Sequence, residues 1–67
     1  MNDEAFTRSI RKLLKEAGVT GHQKAEEAVR RAVADGTAGG GALDCTITID
    51  VPAIGFRHVV AGPLDLE

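Results

Sequence analysis

The sequence predicts a small α+β protein in which two amphipathic helices precede an antiparallel β-hairpin, in the order ααββ. Three observations carry this reading. Apolar residues recur at helical spacing through residues 6–35. A glycine-rich stretch, Thr37-Ala38-Gly39-Gly40-Gly41, interrupts that pattern. From Asp44 onward the period changes to two, the spacing of a half-buried strand.

The first helix is expected over residues 3–17. Asn2 or Asp3 supplies an N-cap, and Glu4 lies near the positive end of the helix dipole. Phe6, Ile10, Leu13, Leu14 and Ala17 share one face. Gly18 suits the left-handed position that closes many helices, with Val19 folding back on the last turn. The second helix is expected to start at Thr20, because Thr20-Gly21-His22-Gln23 has the form of a capping box. Ala25, Ala28, Val29, Ala32 and Val33 form its apolar stripe. Glu26 with Arg30 and Glu27 with Arg31 stand four residues apart in the favourable order. Asp35-Gly36 ends the element.

Residues 37–41 form a flexible connector within a single domain spanning residues 1–67. Cys45, Ile47, Ile49 and Val51 alternate with Thr46, Thr48 and Asp50 to give the first strand. Pro52-Ala53-Ile54-Gly55 is the turn. Residues 56–61 return as the second strand, which Gly62-Pro63 breaks. Leu64 and Leu66 then either add a short third strand or pack as a tail. The simplest packing lays both helices on one face of the sheet.

Size and composition narrow the function classes. A chain of 67 residues without Trp or Tyr, with only two Phe, has a thin core at best. The lone Cys45 makes no internal disulfide and suits a reducing, cytoplasmic setting. Small domains that lack disulfides and metals often gain stability by oligomerisation, so a homodimer is expected. The net charge of −2 argues against a general polyanion binder. Residues 1–35 carry seven Lys/Arg against six Asp/Glu, whereas residues 36–67 carry Arg57 alone against four acidic residues. No apolar run reaches the roughly 18 residues of a membrane span. The acidic start, Met1-Asn2-Asp3-Glu4, is unlike a signal peptide.

Five groups of residues are candidates for chemistry. Arg8, Arg11, Lys12 and Lys15 fall within an arc of about 100° opposite the Phe6 face, making a candidate binding patch for nucleic acid, an anionic lipid surface or an acidic protein. Such a stripe more often only keeps a helix solvated. The segment from Leu14 to Thr20 has the look of the turn in a helix-turn-helix. The register then fails, since Lys24 and Glu27 occupy the anchor positions and Glu26 and Glu27 would face phosphates. His22, Cys45 and His58 lack metal-ligand spacing, so no metal or cofactor is expected. The glycine cluster follows a helix rather than a strand, which is wrong for phosphate binding. Ser9 has no base in sequence reach, and Asp44 and Asp50 have no partner that would separate their acidities. An enzyme is not expected.

The chain resembles a set of short bacterial proteins grouped as a domain of unknown function. The likeness lies in Met1-Asn2-Asp3-Glu4-Ala5-Phe6, Ser9-Ile10-Arg11-Lys12, Gly18-Val19-Thr20, and His58-Val59-Val60-Ala61-Gly62 through Leu66-Glu67. It departs in the alanine-rich second helix and the glycine-rich connector. The resemblance implies a soluble bacterial protein with a native Leu66-Glu67 ending, and it implies no activity. The leading functional expectation is a non-enzymatic interaction module that binds itself or another protein. It would use the hairpin edge or the alanine-rich helix face. The alternative is a small nucleic-acid-binding regulator acting through Arg8, Arg11, Lys12 and Lys15.

Overall fold

A computed structural model describes residues 1–67. It contains one helix, α1 (Asp3–Ala34), and two strands, β1 (Ala42–Val51) and β2 (Phe56–Asp65), joined by a single turn of 3-10 helix at Pro52–Ile54. The chain forms two compact units, Met1–Asp35 and Gly36–Glu67.

The helical unit corrects the expected pair of helices. Residues 3–34 form one uninterrupted helix, and the anticipated break at Gly18 does not occur. Gly18 and Gly21 keep negative φ; only Gly36, Gly41 and Gly55 adopt positive values. A glycine inside a helix costs about 1 kcal/mol relative to alanine. Breaking the helix would instead release four carbonyls and four amide groups around the break. It would also divide one apolar stripe in two, because Ala17, Gly21 and Ala25 follow each other at intervals of four. The capping-box residues Thr20 and Gln23 therefore lie mid-helix. With no turn between Leu14 and Thr20, the helix-turn-helix outline has no counterpart.

The ends of α1 follow the expected chemistry. Asn2 is the N-cap: its backbone is extended, and its side-chain Oδ1 accepts the Ala5 amide at 3.0 Å. Its carbonyl accepts the Phe6 amide, also at 3.0 Å. Asp3 and Glu4 occupy the first turn and Arg31 the last, each sign favourable for the dipole. The Asp35 amide donates to the Arg31 carbonyl at 2.9 Å, and Gly36 then turns the chain with φ +73°.

The second unit is a two-stranded antiparallel sheet. Val51 pairs with Phe56 at the turn and Ala42 pairs with Asp65 at the open end. The expected turn residues are correct. The Gly55 amide donates to the Pro52 carbonyl at 3.1 Å, and Gly55 holds φ +68°, a left-handed value that favours glycine. The expected break at Gly62-Pro63 and the third strand are not found. β2 runs through both residues to Asp65. Proline is tolerated there because each strand of a lone hairpin has an outer edge, where a missing amide leaves no ladder bond unmade.

Neither Met1–Asp35 nor Gly36–Glu67 has a buried residue. A single helix and a single two-stranded sheet are each one layer thick, so neither unit has a core of its own. No helix is long and apolar enough to cross a membrane.

Candidate functional site

The helix carries one continuous apolar face. Phe6, Ile10, Leu14, Ala17, Gly21, Ala25, Ala28 and Ala32 succeed one another at intervals of four, four and three. The pattern repeats every eleven residues: Phe6, Ala17 and Ala28; Ile10, Gly21 and Ala32; Leu14 and Ala25. Eleven residues in three turns is about 3.67 per turn, close to the 3.6 of a straight helix. On a straight helix the stripe therefore drifts by about 20° every eleven residues, and it stays on one side for the length of α1. Leu13 and Val29 lie at its margins. Phe6 is 51% exposed, Ile10 43% and Leu14 48%.

The hairpin is apolar on one face and polar on the other. On the first face the cross-strand pairs are Leu43 with Leu64, Cys45 with Gly62, Ile47 with Val60, Ile49 with His58, and Val51 with Phe56. On the second are Asp44 with Pro63, Thr46 with Ala61, Thr48 with Val59, and Asp50 with Arg57. The last pair is an ion pair at 3.6 Å between the Asp50 carboxylate and the Arg57 guanidinium. Both side chains are largely exposed, so its contribution to stability is small.

The two sheet edges differ. The Leu66 amide donates to the Gly41 carbonyl at 2.8 Å, so the pair just beyond the strands is a hydrogen-bonded one. Alternation along the ladder then turns the backbone groups of Ala42, Asp44, Thr46, Thr48 and Asp50 outward. That β1 edge contains no proline. The β2 edge lacks a donor at Pro63.

The four basic residues anticipated from the sequence, Arg8, Arg11, Lys12 and Lys15, stand on the face of α1 away from the apolar stripe. None has a carboxylate within 4.0 Å. A shallow depression beside them is lined by Asp3, Glu4, Thr7, Arg8 and Arg11, which mixes both signs of charge. Further along the helix, Glu26 engages His22 at 3.3 Å and Arg30 at 3.6 Å.

The other candidates do not come together. The Ser9 hydroxyl donates to the Phe6 carbonyl at 2.8 Å, a bond made within the helix. Cys45 and His58 share the apolar face of the hairpin but lie four pair positions apart along it, about 13 Å at 3.3 Å per residue. No group of three His, Cys, Asp or Glu side chains could hold a metal ion. The long stripe, the extra length of β2 and the unequal sheet edges were missed from the sequence. The unbroken phase across Gly18 and Gly21 was the signal for the first.

Among curated proteins and solved structures, nothing matches the chain. A family model matches residues 1–67, the full length of the sequence, and on that match the chain belongs to the family of unknown function DUF6494.

Proposed function

We propose that the protein is a non-enzymatic interaction module that self-associates through its apolar faces, with a homodimer as the simplest product. The observation that supports this reading is the imbalance between exposed and buried apolar side chains. Fourteen large hydrophobic residues are exposed and none is buried. Most helical stability in proteins comes from packing of an amphipathic face, and an isolated two-stranded hairpin is marginally stable at best. Each unit therefore needs a surface to cover it, and a second copy offers both kinds of face. The lone Cys45 fits a reducing, cytoplasmic location for such a module.

The reading is tested by melting the protein at a series of concentrations. A self-associating fold gains stability by mass action, so its Tm rises with concentration. A cooperative transition whose midpoint is independent of concentration would overturn the proposal.

A second reading rests on the four basic side chains of α1, which lack carboxylate partners within the chain. They suit the phosphates of a nucleic acid, and the protein would then act as a small regulator. Salt-sensitive retention on heparin, lost in the R11E/K15E variant, supports this reading; retention unchanged by the two substitutions defeats it.

A further inference from the structure

The apolar stripe of α1 is graded in size along its length. The N-terminal part carries Phe6, Ile10, Leu13 and Leu14, whereas the C-terminal part carries Gly21, Ala25, Ala28 and Ala32. The grading is reciprocal about Val19, near the middle of the helix. Turning a second copy end for end about that position sets Phe6 against Ala32, Ile10 against Ala28, Leu13 against Ala25, and Ala17 against Gly21. Phe6, Ile10 and Leu13 then each meet a small side chain, Leu14 comes level with Lys24, and Ala17 and Gly21 meet at the centre. The separation between the axes can stay near-uniform along the contact, which close helix packing at about 8–10 Å requires.

The parallel arrangement fails on the same residues. It would stack Phe6 on Phe6 and Ile10 on Ile10 at one end, forcing the axes apart. At the other end it would stack Ala28 on Ala28 and Ala32 on Ala32, which make contact only when the axes are close. It would also place Lys24, at the margin of the stripe, in the same layer as Lys24 of the second copy. The antiparallel arrangement separates those two ammonium groups along the axis.

We propose that α1 of one copy packs antiparallel against α1 of a second copy, through Phe6, Ile10, Leu13, Ala17, Gly21, Ala25, Ala28 and Ala32. This rests on the self-association reading and specifies the surface and the orientation.

Two experiments test it. The first exchanges a facing pair. Ala28→Ile alone sets isoleucine against isoleucine, and Ile10→Ala alone sets alanine against alanine. Each single change is expected to weaken dimerisation about tenfold or more, because it leaves a mispacked or emptied contact. The I10A/A28I double variant restores a large-small contact at both sites and recovers affinity to within a few-fold. A double variant as weak as the singles overturns the pairing. The second experiment places a spin label at Glu4→Cys in a Cys45→Ala background and measures the distance within the dimer. The antiparallel pair separates the two labels by about 45 Å along the axis, at 1.5 Å per residue; a parallel pair holds them within about 20 Å. A dimer with the short distance overturns the orientation and leaves self-association standing. A chain that stays monomeric in both experiments overturns both proposals.

Discussion

Asp44 and Pro63 face each other across the hairpin at a pair whose backbone groups point away from the partner strand. The missing amide of Pro63 therefore costs the hairpin no internal hydrogen bond, while it interrupts the outer edge of β2. Proline on an edge strand discourages pairing with another sheet. Pro63→Thr returns an outward donor to β2. The expected outcome is an unchanged hairpin register by amide chemical shifts and a larger assembled fraction by light scattering. A loss of register would contradict the assignment of the Asp44 and Pro63 pair.

Gly55, in the turn, and Gly62, in β2, respond oppositely to an added side chain. Gly55 holds φ +68°, where a non-glycine residue is strained, so Gly55→Ala should cost about 1–2 kcal/mol. Gly62 sits opposite Cys45 with open space where a Cβ would fall. Gly62→Val extends the apolar face and raises β propensity, with an expected gain of up to about 1 kcal/mol. Thermal melts followed by circular dichroism check both signs.

The N-cap of α1 depends on one side chain. Removing the Asn2 carbonyl oxygen from the Ala5 amide by Asn2→Ala should destabilise the protein by about 1 kcal/mol. For a domain of this size that is a fall in Tm of about 4–8 °C. Asn2→Asp or Asn2→Ser keeps the acceptor and should leave the Tm near its original value.

The two mid-helix glycines separate propensity from packing. Gly18 stands beside the stripe with nothing within 4 Å of an added Cβ. Gly18→Ala should therefore raise helix stability by about 0.5–1 kcal/mol. Gly21 stands on the stripe, opposite Ala17 of the second copy in the antiparallel pair. Gly21→Leu improves helix propensity yet should weaken dimerisation at least tenfold by holding the axes apart at the centre. Circular dichroism and size-exclusion chromatography with light scattering read the two effects separately.

Much of the local structure was legible in the residues. Asn2 as a cap, Gly36 at the end of the helix, the alternation from Cys45 to Val51, and the turn at Pro52-Ala53-Ile54-Gly55 each depend on chemistry confined to a few neighbours. The misreadings came from treating punctuation as decisive. Gly18 and the capping-box residues Thr20 and Gln23 look like a helix boundary, but Ala17, Gly21 and Ala25 keep one phase across it. Gly62-Pro63 looks like a strand end, yet proline is free to occupy an outer edge. Whether an edge is outer depends on the number of strands, which no local pattern reports. The apolar stripe was visible only in two halves, so its reciprocal grading in size was not. The basic patch of Arg8, Arg11, Lys12 and Lys15 was legible as a face of a helix, because that follows from spacing alone.

The central proposal is that a second copy covers the apolar faces of the two units. Sedimentation equilibrium from micromolar to millimolar concentration tests it most directly. The account predicts a mass that climbs toward twice the 7.0 kDa of the chain. A cooperatively folded species of 7.0 kDa throughout that range would contradict it.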